Sequence, residues 1–125
     1  MVGIVIVSHS QKLAEGVVEI SRMMSNAPIA AAGGLESGQL GTSYEKILEA
    51  IESVSKGDGV VVMMDMGSAV MTTEMVLEDL EREDILMLDC PLVEGAVLAA
   101  VESANGKTLA EISALVEKAR TTKKF

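Results

Sequence analysis

Two runs of consecutive apolar residues, Ile4-Val-Ile-Val7 and Val60-Val-Val-Met-Met64, constrain this chain more than any other feature. Neither alternates with polar residues, so each reads as a strand buried on both faces, as in a parallel sheet with helices on either side. Neither is a membrane span. No apolar stretch reaches the ~18 residues that crossing requires, because Asp65 and Asp89 interrupt the strongest candidates.

Helical periodicity fills the intervals between strands. With Ser10 available as N-cap, the stripe Leu13, Val17, Ile20 and Met24 predicts a first helix whose Gln11, Lys12, Glu15 and Glu19 face outward. Pro28 to Gly34 reads as a second strand, placed at an edge because proline has no N–H for an inner ladder. The glycine-rich loop Gly33-Gly34-Leu-Glu-Ser-Gly38-Gln-Leu-Gly41 follows. Thr42-Ser-Tyr-Glu45 has the spacing of a capping box ahead of a second helix carrying Ile47, Leu48, Ile51 and Val54. Lys56-Gly-Asp-Gly59 is a turn into the Val60 strand. A third helix, with Val70, Val76, Leu77 and Leu80, follows the turn Asp65-Met66-Gly67-Ser68, and Asp84 to Asp89 reads as the fourth strand. Pro91 closes the turn before a helix with Val93, Val97, Ala100, Val101 and Ala104 on one face, and Asn105-Gly106 stops it. Thr108-Leu-Ala-Glu111 is a second capping-box match, before a last helix with Ile112, Leu115, Val116 and Ala119. The expectation is one α/β domain over residues 1–125, doubly wound, with a mainly parallel sheet of order 2-1-3-4 and helices on both faces.

Composition narrows the chemistry. Lys plus Arg number 10 against 19 Asp plus Glu, and a net charge of −9 argues against binding nucleic acid and for a basic partner. One histidine and one cysteine exclude a His- or Cys-rich metal site and an internal disulfide. The N-terminus has no basic segment, signal-length apolar core or cleavage site, so a cytoplasmic protein without membrane insertion is expected. With one Phe, one Tyr and no Trp, the nine methionines read as packing in an aliphatic core. Neither a Gly-x-Ser-x-Gly elbow nor a Walker loop occurs, so any phosphate chemistry takes its phosphate from elsewhere. Cys90 reads as a small buried residue at a strand end rather than a reactive thiol.

In the order 2-1-3-4, the sheet reverses between the first and third strands, where α/β proteins place their ligands. His9 follows the first strand and the Asp65 to Ser68 turn follows the third, with the glycine-rich loop on the other flank. A neutral imidazole nitrogen there can attack phosphorus and hand the phosphoryl group onward, needing no bound cofactor. Asp65 is the candidate for holding the opposite ring nitrogen, although the same carboxylate also suits the N-terminus of the third helix. Ser10, Gly41, Thr42, Gly67 and Ser68 are candidates for phosphate or partner binding through exposed N–H groups, while Thr42 and Ser68 also read as helix caps. No metal site is expected.

The motifs Gly3-Ile-Val-Ile-Val-Ser8-His9-Ser10 with Leu13-Ala14-Glu15-Gly16, Ala31-Ala32-Gly33-Gly34 with Gly38 and Gly41-Thr42-Ser43, and Asp65-Met66-Gly67-Ser68-Ala69 together span the chain. In these the sequence resembles the DhaM family of phosphotransferase-system subunits of dihydroxyacetone kinase, whose domain is similar to the mannose-type enzyme IIA. That resemblance implies that His9 takes a phosphoryl group from the phosphocarrier HPr and gives it to ADP held on a DhaL subunit. The regenerated ATP then serves dihydroxyacetone on DhaK. It also implies a homodimer, and the end of the chain at Phe125 suggests reliance on a free phosphocarrier. Leucine often stands in the family where this chain has Met66, a conservative difference. Two other readings stay open: a mannose-type enzyme IIA that delivers phosphate to a transporter IIB component, and a receiver-like signalling domain phosphorylated on Asp65. The receiver reading lacks its Mg²⁺-binding acids, since Ser8 and Ser10 flank His9 instead. Glu15, Glu19 and Glu36 suit steering of a basic carrier and equally suit solvated helix faces.

Overall fold

A computed structural model describes residues 1–125. The chain runs β1 (Gly3–Ser8), α1 (Gln11–Met24), β2 (Ile29–Gly33), α2 (Tyr44–Val54), β3 (Val60–Met64), α3 (Ser68–Leu80), β4 (Ile85–Met87), α4 (Leu92–Ala104) and α5 (Leu109–Glu117), closing with a 3-10 turn at Lys118–Arg120. All strand pairings are parallel and the order is β2-β1-β3-β4, as expected from the sequence. Val7 lies between Ala32 and Met64, so β1, β2 and β3 finish nearly level and their following loops share one end of the sheet. No helix is long and apolar enough to cross a membrane.

The sheet divides the core in two. Ile4, Ile6, Val61 and Met63 join buried residues of α1, α4 and α5 on one side, while Val5, Val7, Val60 and Val62 join those of α2 and α3 on the other. This alternation explains the unbroken apolar runs: successive side chains point to opposite faces, and both faces are dry. Burying each of these side chains contributes on the order of 2 kcal/mol relative to leaving it in water.

α2 buries Ile47, Ile51 and Val54 and α5 buries Ile112 and Val116 as expected, but α1 and α4 bury other faces from those predicted. In α1 the buried residues are Ala14, Val17, Val18 and Ser21, whereas Leu13, Ile20 and Met24 of the expected stripe are exposed. In α4 they are Gly95, Ala96, Ala99, Ala100 and Ser103, with Val93 exposed and Ala104 also outside. The reason is proximity. α1 and α4 pack against each other and the sheet through small residues, and Ser25 and Ser103 fasten α1's end and α4 by donating to the carbonyls of Ala100 and Val2, both at 2.6 Å. In α3 the expected Val76 is buried, beside Ala69 and Thr73, and Met71 and Met75 face outward. Those two methionines are not packing.

Two further boundaries move. The second helix is capped by Ser43 rather than Thr42, its hydroxyl accepting from the Lys46 N–H at 3.2 Å. The predicted capping box at Thr108 and Glu111 forms in full. β4 spans three residues, shorter than the expected Asp84 to Asp89. Along β2 the Pro28 carbonyl accepts from Ile4 N–H at 2.9 Å, while the outward carbonyls of Ile29 and Gly33 accept from Arg22 Nη2 at 3.1 Å and Lys46 Nζ at 3.0 Å. At Gly33 the start of α1 lies almost on the strand. A Cβ there would come within 2.6 Å of the Ser10 carbonyl oxygen and 2.7 Å of Gln11 Cα.

Candidate functional site

His9 is the first residue beyond β1, in the bend before α1, and its side chain is one quarter exposed at 25%. Its backbone is fixed on both sides: its N–H donates to Asp65 Oδ2 at 3.0 Å, and its carbonyl accepts from Gly41 N–H at 2.9 Å. Such pinning leaves the ring little freedom except rotation about its own bonds.

Asp65, just past β3, organises the ring. Its Oδ1 accepts from His9 Nδ1 at 3.0 Å and from Met66 N–H at 2.7 Å, and its Oδ2 from Ser8 Oγ at 2.8 Å and His9 N–H. An ionised carboxylate only accepts, so Nδ1 carries the proton of the neutral ring and Nε2 keeps its lone pair. Ser68 Oγ lies 2.5 Å from Nε2 and is placed to donate to it.

Burial pushes the Asp65 carboxyl pKa up, but the His9 N–H, the Ser8 hydroxyl, the His9 ring and the Met66 N–H pull it down and prevail, leaving it below the ordinary 3.8. A folded value below the unfolded one means stability that is complete above the unfolded pKa and lost as pH falls through the folded pKa. Asp65→Asn is therefore expected to flatten the loss of stability below about pH 4. Urea unfolding of both proteins from pH 7 downward checks this, and identical acid slopes would refute it.

The other candidate residues take distinct places. Ser10 caps α1, accepting from Leu13 N–H at 3.2 Å. Gly41, with φ +148, reaches the site, but its N–H is committed to the His9 carbonyl, which makes it a support for the His9 backbone rather than a free anion donor. Thr42 is not a cap: Thr72 Oγ1 donates to the Ser68 carbonyl at 2.9 Å, so Thr42 Oγ1 donates to Thr72 Oγ1 at 2.9 Å and ties the glycine-rich loop to α3. Ser68 is also no cap, since Gly67 occupies that position with φ +26 and offers no side chain. The N–H groups of Gly67 and Ser68 have no acceptor within the chain and lie at the exposed start of α3, where the helix dipole favours negative charge. Gly-Ser is thus a cap-free start.

Sequence reasoning passed over Ser8 as a participant. The one available signal was a hydroxyl closing an otherwise aliphatic run, and the structure buries it completely.

A cavity of about 430 Å³ opens beside Asp65, lined by Met64, Val70, Met87, Leu88, Asp89 and Cys90. Burial first, then Asp89, Glu117 and Glu94, push the Cys90 thiol from 9.0 up to about 11. It is a thiol near neutrality. Alkylation by iodoacetamide at pH 8 is expected to run on the order of a hundredfold slower than for a free cysteine, read by mass spectrometry; equal rates would contradict the burial.

An open parallel sheet presenting one carboxylate-held histidine at its topological switch point defines an α/β domain with a single-histidine site. Residues 3–113 match the EIIA-man family model, described as "PTS system fructose IIA component", and the chain belongs to that family. It is 38% identical over 117 residues to the PTS-dependent dihydroxyacetone kinase, phosphotransferase subunit DhaM, of Lactococcus lactis subsp. lactis (strain IL1403), covering 93% of this chain and 94% of that one. It is 44% identical over 120 residues to the PEP-dependent dihydroxyacetone kinase, phosphoryl donor subunit DhaM, of Escherichia coli (strain K12), covering 90% of this chain and 25% of the relative. The chain therefore spans about a quarter of that relative's length. The crystal structure of a protein of unknown function, EF1359, matches with a TM-score of 0.86 at 26% identity, covering 100% of this chain and 99% of the other.

Proposed function

We propose that this chain is a phosphohistidine carrier, the phosphoryl donor subunit of a phosphoenolpyruvate-dependent dihydroxyacetone kinase. The observation that carries the reading is the division of labour on the His9 ring: Nδ1 is bound to Asp65, while Nε2 faces Ser68 Oγ at the exposed start of α3. In the forward step the Nε2 lone pair attacks the phosphorus of phosphorylated HPr, the P–N bond to the carrier breaks, and its electron pair returns to the carrier's ring. Asp65 holds the positive ring that results. Ser68 Oγ turns from Nε2 to a phosphoryl oxygen, and the Gly67 and Ser68 N–H groups supply further donors.

In the second step a terminal oxygen of ADP on DhaL attacks the same phosphorus, the P–Nε2 bond breaks, and its electrons return to His9. ATP forms on DhaL and phosphorylates dihydroxyacetone on DhaK, so this chain is a phosphotransferase component rather than the kinase that holds the sugar. No resident cofactor or metal enters, and the nucleotide sits on the partner. We place the carrier in the cytoplasm as a homodimer, supported by the outward Met23, Met24, Met71 and Met75. Sedimentation at micromolar concentration showing only monomer would remove that part.

The receiver-like reading fits the geometry poorly, since all four bonds to the Asp65 oxygens leave no site on it for an incoming phosphorus. The deciding experiment is intact-mass analysis after incubation with phosphoenolpyruvate, enzyme I and HPr, followed by DhaL loaded with ADP. A single acid-labile phosphate, absent from His9→Gln and discharged as ATP, is expected. Discharge to a transporter IIB component but not to DhaL would shift the function to sugar uptake, and no phosphate with active HPr would end the carrier reading.

A further inference from the structure

We propose that Ser8 is a positioning residue for the phosphoryl-transfer chemistry, setting the orientation of the Asp65 carboxylate and through it the tautomer of His9. The inference rests on the carrier reading above for its consequence, but its geometry stands apart from it. Ser8 ends β1 with 0% exposure, and its single hydroxyl proton goes to Asp65 Oδ2 at 2.8 Å. Ser8 Oγ in turn accepts the Ser10 N–H at 3.0 Å. One side chain thus joins the end of β1, the turn that carries His9 and the turn after β3.

The carboxylate is a planar group with two ways of meeting its donors. His9 N–H and Ser8 Oγ converge on Oδ2, and this pair directs Oδ1 at the ring, where Met66 N–H shares it. Without the hydroxyl, Oδ2 keeps only the 3.0 Å bond from the His9 N–H, and the carboxylate can rotate about its Cβ–Cγ bond. Ser10 N–H loses its acceptor too, so the bend itself loosens. Both changes weaken the one contact that keeps the proton on Nδ1, and the nucleophilic Nε2 acquires it instead. Removing the outer partners that orient a metal-bound histidine typically costs ten- to a hundredfold, and the same kind of indirect orientation operates here.

The test compares wild type, Ser8→Ala and Ser8→Thr by ¹⁵N shifts of the His9 ring, by the rate of phosphorylation from phosphorylated HPr, and by thermal melting. Wild type is expected to show a protonated Nδ1. Ser8→Ala, a smaller side chain in the same space, is expected to fold, to show a larger share of the Nε2–H tautomer and to accept phosphate about tenfold more slowly. Ser8→Thr keeps the hydroxyl and is expected to retain the wild-type ring shifts. The ring shifts decide. If Ser8→Ala keeps the wild-type tautomer, or a folded Ser8→Thr behaves as alanine does, the proposal is wrong whatever the rate or melting point does. They require no phosphoryl donor, so a wild type that never accepts phosphate would defeat the carrier reading and leave this result standing on its own.

Discussion

Asp65→Asn is expected to slow phosphorylation of His9 by about four orders of magnitude while leaving the fold in place, the scale seen when a histidine's orienting carboxylate becomes an amide. The amide oxygen at the Oδ2 position can still accept from Ser8 Oγ and the His9 N–H, so the His9 bend survives, while Met66 N–H loses its acceptor. Its NH₂ group, turned toward Nδ1, donates where the carboxylate accepted. The ring then places its proton on Nε2, facing Ser68, and the attacking lone pair is gone. Stopped-flow or quench transfer from phosphorylated HPr checks the rate, with circular dichroism to confirm the fold. A loss of less than about tenfold would mean that the Asp65 contact is structural and that another group sets the tautomer.

Gly33→Ala is expected to be the most damaging single-methyl change near the site, lowering stability by about 3 kcal/mol. The added carbon meets backbone on α1, at 2.6 Å from the Ser10 carbonyl oxygen and 2.7 Å from Gln11 Cα, and a further side-chain atom, Ala14 Cβ, at 2.8 Å. None of these is the free end of a flexible side chain, so α1 must lift from β2. Gly16→Ala is the matched control: it lies inside α1 with nothing within 4 Å of its added carbon, and is expected to stabilise by roughly 0.5–1 kcal/mol through helix propensity. Chemical denaturation of the two variants beside wild type reads both signs. Equal effects would show that α1 can yield at Gly33 without cost. Because the lifted segment begins one residue after His9, Gly33→Ala is also expected to slow phosphoryl acceptance.

Strand order and the convergence of the loops that carry His9 and Asp65 were legible because they depend on long-range features a sequence displays openly, whereas the contact between the two side chains was not. Unbroken Val and Ile runs mark β1 and β3, proline marks an edge, and parallel topology then brings the two loops together. The faces of α1 and α4 were not legible. Periodicity weighs a leucine or methionine above an alanine, yet where two helices and a sheet approach closely the space admits Ala14, Ser21, Ala96 and Ser103 and sends Leu13, Ile20 and Val93 outward. The roles of Thr42 and Ser43 differ by a single residue of register, set by tertiary bonds such as that from Thr42 to Thr72, which no local pattern encodes. Ser8 escaped for a related reason. A serine closing a buried strand is read by its neighbours' hydrophobicity, and its worth appears only when a carboxylate fifty-seven positions away arrives beside it.

The cationic side chains resting on β2 have a consequence for how this molecule behaves in a crowd. A bare outer strand is an invitation to any loose peptide, which can zip on through main-chain bonds and nucleate fibres. Here a guanidinium and an ammonium already occupy the Ile29 and Gly33 carbonyls, so an arriving ribbon would have to evict two charged groups before gaining its first bonds. Growth by strand addition is discouraged along that rim, and association is left to the helix faces, where contacts between side chains close into small, countable assemblies instead of open-ended ones.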